Sequence, residues 1–203
     1  MTEKRSKDRR IEKTEHLLHR ALAELIREKP YDAIVVKEIL DRANVGRSTF
    51  YMHFRDKDDL LVRSINHMVA AVDPKHPSAS GKPNERMIGF SLAVFEHIHQ
   101  HRQNAHAKMG AKGRALIHEH LRGVIAERIA DDLKGSFSGR RKAAATIPTD
   151  VLVQYVATTF ILVLNWWVES ESPLRPKDVN DVFRALVLPT LAASWSTGRL
   201  SQR

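Results

Sequence analysis

Between Ala33 and Leu60 the chain reads AIVVKEILDRANVGRSTFYMHFRDKDDL, and no other stretch limits its possible folds as tightly. Val36, Ile39, Leu40 and Ala43 recur at helical spacing, so one face of a short helix is expected to be buried. Asn44-Val45-Gly46 breaks that period, because Asn tolerates a left-handed backbone and Gly adopts one freely. Phe50 and Phe54, four apart, predict a second helix with both rings turned to a core. Arg47, Ser48, Thr49, Tyr51 and His53 are then left largely outside. A short helix with basic and polar residues outside, held by a helix crossing behind it, suits the major groove of DNA. The pattern is a helix-turn-helix.

The flanking sequence is helical throughout, and an all-α fold of about nine helices is expected. A first helix from about Arg9 to Glu28 carries Ile11, Leu18, Leu22, Leu25 and Ile26 on one stripe, and Pro30 stops it. Asp56, with Asp59 three residues on, should cap a helix running to about Val72. The run DPKHPSASGKP at 73–83 interrupts any helix and divides the chain. Beyond it, helices are expected over 86–101, 115–133, 150–169 and 176–195. A short helical segment at 105–109 should end at Gly110, and residues 135–149 should form a loop with a basic tip at Arg140, Arg141 and Lys142. Pro189 should bend or break the last helix.

Val151 to Val168 holds eighteen residues without a charge, close to the ~20 that a membrane span requires. Gln154, Thr158 and Asn165 fall on one side of that helix, which favours a buried helix with a polar stripe over a membrane crossing.

Net charge is +9 with a sequence pI near 10, which favours an anionic partner. The absence of cysteine excludes disulfides and thiolate metal sites and fits a cytoplasmic chain. The charged start, MTEKRSKDRR, has no apolar stretch behind it and does not read as a secretory signal. Eleven histidines raise a metal reading: His97 and His101 lie one helical turn apart, with His118 and His120 near in sequence. His118-Glu119-His120 lacks the spacing of a zinc hydrolase, so no metal site and no cofactor is expected. Gly110-Ala111-Lys112-Gly113 lacks the ending of a phosphate loop. With no Gly-x-Ser-x-Gly elbow and no thiol, an enzyme is not expected.

The string Gly46-Arg47-Ser48-Thr49-Phe50-Tyr51-Met52-His53-Phe54, with Lys57 and Leu60-Leu61, resembles the signature of TetR-type transcriptional regulators. The likeness covers roughly residues 10 to 65. It departs from the family pattern at Val35, where a capping Thr is common, at Asn44 in place of a turn Gly, and at Gly46 in place of a capping polar residue. By that resemblance, residues 1–55 would be the DNA-binding domain, 56–72 a connecting helix and 84–203 a ligand-sensing and dimerisation domain. Lys37, Tyr51, His53 and Lys57 match positions that hold DNA phosphates. Arg47, Ser48 and Thr49 match those nearest the base edges, and Arg47 is the candidate reader of a guanine. Arg5 and Arg9, in the basic N-terminal arm, could reach the minor groove or simply solubilise the chain.

The same resemblance implies a homodimer on double-stranded DNA, at a palindromic operator with half-sites ~34 Å apart or a multiple of it. It also implies release by a small-molecule effector. Phe160, Trp167, Phe183 and Leu186 are candidates for the dimer interface. Phe90, Val94, Met109, Leu121, Tyr155, Thr159 and Trp166 are candidates for the effector pocket. The fourth helix would be the lever between the two functions. The alternative is a DNA-binding protein that recruits a protein partner and needs no effector; a void lined by Tyr155, Thr159 and Trp166 would favour the first reading, tight packing the second.

Overall fold

The computed structural model describes residues 2–72, 85, 87–105, 109–137, 147–170 and 172–196, with side chains described over 11–69, 85, 87–100, 109–133, 147–170 and 172–194. The fold is all-α. In chain order the helices are α1 (Thr2–Glu28), a single 3-10 turn (Tyr31–Ala33), α2 (Val36–Ala43), α3 (Arg47–His53), α4 (Lys57–Val72), α5 (Ser91–Ala105), α6 (Gly110–Phe137), α7 (Thr149–Glu169) and α8 (Pro176–Ser196). Two compact units emerge: residues 1–68 with 101–118, and residues 69–100 with 119–203. The proline-rich stretch at 73–83 and the basic tip at 140–142 lie outside the described residues.

The core of the first unit follows the expected stripes. Leu18, Leu22, Leu25 and Ile26 of α1 meet Ile39, Leu40 and Ala43 of α2 and the two phenylalanines of α3, all buried. Asn44 ends α2 in the left-handed region at φ 51, and Val45 N–H bonds back to Leu40 O at 3.1 Å. Gly46, by contrast, is extended at φ −68, a conformation any residue adopts. Phe54 N–H closes α3 on Phe50 O at 2.8 Å. The start of α4 is fixed reciprocally: Asp59 N–H donates to Asp56 Oδ1 at 2.8 Å and Arg55 N–H to Asp59 Oδ2 at 3.1 Å. These bonds satisfy amides that a helix start leaves open.

Several elements differ from expectation, among them α5, which spans Ser91–Ala105 where 86–101 was expected. The first helix begins at Thr2 rather than near Arg9, while α6 begins at Gly110, where a helix end was expected, and continues to Phe137. The reason lies in close packing. Gly110 stands at φ 70 with the Asp32 carboxylate 2.5 Å from where a Cβ would be, and a Cβ at Gly113 would sit 2.9 Å from the Tyr31 ring. The glycines of the Gly110–Gly113 run therefore serve the approach of α6 to the 3-10 turn. Finally, α8 runs unbroken through Pro189. A proline ring crowds the carbonyls of the turn before it; there, Leu186 O accepts a bond from the Tyr155 hydroxyl at 2.9 Å.

The second unit is built on aromatic packing. Phe160 of α7 lies 4.8 Å from Phe95 of α5 and 5.4 Å from Phe183 of α8, centroid to centroid, and 5.3 Å from Phe90. Trp167 is wholly buried, and its indole N–H donates to Leu174 O at 2.9 Å. Ser91 and Asn180, both buried, meet at 2.6 Å. By length and composition α7 could cross a membrane, but half of its apolar window is buried against the unit's core. Its expected polar residues Gln154 and Thr158 are exposed and Asn165 is half-buried.

Candidate nucleic-acid interface

The outer surface of α2 and α3 is defined by which cations carry a partner and which do not. Behind the reading surface the charges are paired. Arg42 holds both carboxylate oxygens of Glu28 at 2.8 Å, Arg20 meets Glu24 at 2.9 Å, and Lys29 pairs with Glu38. Glu38 also accepts Val35 N–H at 3.0 Å, so α2 keeps half of a reciprocal cap although Val35 has no side-chain acceptor to offer. Lys37 and Arg47 are exposed and make no ion pair among the described residues. Arg47 instead lies over the Tyr51 ring, 5.6 Å from its centroid. An i,i+4 stack of this kind restricts the guanidinium before it meets DNA.

The expected contacts divide under this geometry. Arg47, Ser48 and Tyr51 are exposed on α3, and Thr49 is half-buried beside them. His53 is mostly covered, with Nδ1 3.6 Å from Glu15 Oε1, so it faces α1 more than the open side. The ammonium of Lys57 is turned inward, 2.9 Å from Tyr31 O and 2.7 Å from Ile34 O. The side chains of Arg5 and Arg9 lie outside the described ones. Met52 was passed over by sequence reasoning and is 74% exposed. Helical phase could have found it: it follows Tyr51 on α3, and neither phenylalanine covers it. A large apolar side chain on a reading helix has one apolar counterpart in the major groove, the thymine methyl.

Beneath this surface, burial and the Asp58 carboxylate raise the Tyr31 hydroxyl above the usual tyrosine range. Its proton is donated to Asp58, whose second oxygen meets Lys112 at 2.7 Å. His19 of α1 donates from Nδ1 to Ser64 Oγ at 2.5 Å, and Ser64 donates to Leu60 O at 2.8 Å. That chain leaves Nε2 as the bare nitrogen of a neutral ring, and it is buried without a partner. Burial lowers the His19 pKa to about 4, with His67, His16 and Arg63 adding to the effect. Among the described residues no three His, Cys, Asp or Glu side chains are grouped to hold a metal ion.

Residues 18–63 match the family model of bacterial regulatory proteins of the tetR family, and these are the residues that build the helix-turn-helix and its supports. By this match the helix-turn-helix is similar to that of the TetR family. A curated HTH-type transcriptional regulator, YxbF of Bacillus subtilis (strain 168), is 33% identical over 90 residues, 44% of this chain and 22% of that protein. The match thus spans about a fifth of the relative's length. Among solved structures, a TetR transcriptional regulator from Streptococcus agalactiae 2603V shares the fold at TM-score 0.56 and 24% identity, over 90% of this chain and 97% of that one. RolR in complex with resorcinol does so at TM-score 0.57 and 17% identity, over 95% and 94%. Members of the TetR family are DNA-binding transcriptional regulators and not enzymes.

The structure also sorts the remaining TetR-type expectations. Phe160, Trp167 and Phe183 are fully buried within the second unit, so they are core and not dimer interface; only Leu186 of that set is exposed. Among the expected pocket residues, Phe90, Val94 and Leu121 are packed in the core, and Met109 belongs to the core of the first unit. Tyr155 and Trp166 are exposed, and the Thr159 hydroxyl donates to Tyr155 O at 2.7 Å.

Proposed function

We propose that the chain is a dimeric, cytoplasmic repressor that reads a palindromic operator and is released from it by a small molecule. The observation that carries the DNA-binding part is the α3 surface, with Arg47, Ser48, Tyr51 and Met52 exposed above a packed core. A single helix of this length contacts few base pairs, so useful specificity requires two heads on one operator.

Support for the dimer comes from the surface of α7 and α8. Leu162 and Trp166 are 63% and 45% exposed, and with Val151 and Tyr155 they share one face of α7. The bond from Tyr155 to Leu186 O joins this face to the exposed Val182 and Leu186 of α8. A set of large exposed apolar side chains of this kind fits a second copy of the chain. Leu162→Glu combined with Trp166→Glu is expected to convert dimer to monomer in sedimentation analysis while helix content stays unchanged. A persistent dimer would move the interface elsewhere.

Arg47→Ala is expected to relax base preference at one position in each half-site, a loss of about 1–3 kcal/mol of discrimination; unchanged preference would remove Arg47 from the reading set. The effector reading draws on likeness of fold to RolR, which was solved with resorcinol. An effector must favour one arrangement of the heads by its differential affinity. The helices available to carry that preference are α4, α5 and α6, each of which contributes residues to both compact units. Recruitment of a protein partner without an effector is the alternative reading. A compound screen for loss of operator binding separates the two readings.

A further inference from the structure

An ammonium group has three protons to donate, and the Lys57 ammonium faces three carbonyls of one turn: Ile34 O at 2.7 Å, Tyr31 O at 2.9 Å and Asp32 O at 3.3 Å. It also lies 4.5 Å from the centroid of the Tyr31 ring. Tyr31 is fully buried and tied to Asp58, the neighbour of Lys57 on α4. One side chain from the first turn of α4 thus gathers the chain between α1 and α2, just before Val36 begins α2. Lys37 offers the contrast, being exposed and without an ion pair among the described residues.

We propose that Lys57 is a positioning residue for the reading helix rather than a phosphate ligand: it pins the Tyr31–Ile34 turn to α4 and so sets where α2 and α3 stand. This rests on the proposed DNA-binding function. Burial also holds the ammonium below the usual lysine range, consistent with a group withdrawn from water. The charge of Lys57 then releases no counterion on binding, whereas each phosphate contact contributes about 0.9 to the slope of log affinity against log salt.

The test uses the full chain and its selected operator, or a mixed-sequence duplex if none is selected, titrated across a salt series. Lys57→Met is expected to weaken binding about tenfold at every salt concentration with the slope unchanged. Lys57→Arg keeps the charge, yet should weaken binding similarly, because a planar guanidinium cannot aim three protons at converging carbonyls. Lys37→Met should lower the slope by about 0.9. The proposal is overturned if Lys57→Arg binds like the parent while Lys57→Met lowers the slope, or if both variants bind like the parent.

Reductive methylation of the unmutated protein, read by mass spectrometry, covers the case in which the variants fail to fold. Lys57 should react slowly with and without DNA, and Lys37 quickly without DNA and slowly with it. Lys57 reacting as Lys37 does would overturn the proposal. Should the protein select no operator, the regulator reading fails, while slow methylation of Lys57 in DNA-free protein still reports whether it is pinned.

Discussion

On the back of the first unit cations are matched to carboxylates, as Arg42 is to Glu28 and Lys29 to Glu38, and the side chains left exposed on α3 include Arg47, Ser48, Tyr51 and Met52. In the second unit the large aromatics turn inward on one another, and the exposed side of α7 carries the large apolar Leu162 and Trp166. The difference teaches how to assign function by exposure. In the first unit a polar residue matters when nothing inside the protein claims it, and Lys57 fails that condition. In the second, an aromatic residue is an interface candidate only when its own core does not, and Phe160, Trp167 and Phe183 fail likewise.

The largest effect should come from moving that contrast onto one helix. Phe160→Ala removes a ring packed on Phe90, Phe95 and Phe183 and is expected to cost ~3–5 kcal/mol in denaturant unfolding. Leu162→Ala, two residues on, should leave that unfolding within ~0.5 kcal/mol when measured on a monomeric variant. Equal losses would erase the distinction between core and face. Gly113→Ala tests the close approach in the first unit. Its new methyl meets the Met109 sulfur and the Tyr31 ring, and overpacking of this kind costs ~1–3 kcal/mol. Gly123→Ala on the same helix, where a Cβ meets nothing within 4 Å, should instead be stabilising by about 0.4–1 kcal/mol.

A smaller effect belongs to His19. Its folded pKa of about 4 lies below the ordinary value of 6.5, so between those values the unfolded chain takes up a proton that the folded chain does not. Stability from this group is complete above pH ~6.5 and falls as pH falls toward 4, by ~1 kcal/mol after allowing for solvent screening. His19→Gln should flatten the stability profile in that window relative to the parent. An unchanged profile would mean that the pH dependence in that window does not come from His19. The smallest effect is at Gly46, whose extended backbone and open surroundings accept a side chain, the nearest atom being Thr49 Oγ1 at 3.8 Å. Gly46→Ser supplies the missing cap and should raise stability by a few tenths of a kcal/mol, read as a small upward shift in Tm.

The helix-turn-helix was legible because its signals are local. Apolar spacing placed α2 and α3, Asn44 took the left-handed turn, and Asp56 with Asp59 capped α4. What was not legible depends on residues far apart in sequence. Lys57 carries the family's position in the motif, but its ammonium is claimed by carbonyls of residues 31 to 34, which no spacing rule shows. Gly110 reads as the end of a helical segment until the turn at Asp32 is placed against it. On α7 the apolar residues are too many for periodicity to separate buried from exposed. Phe160 and Leu162 look alike in sequence and differ only in what packs on them.

The most direct test of the account is selection from a pool of random duplexes by the purified protein at ~150 mM salt, where non-specific phosphate binding is suppressed, followed by sequencing of the bound fraction. The account predicts enrichment of an inverted repeat whose half-site centres lie one helical turn or a multiple apart, with preference at one base pair per half-site lost in Arg47→Ala. Salt-sensitive binding without an enriched sequence would contradict it, and would assign DNA affinity to the net charge of the chain instead of the α3 surface.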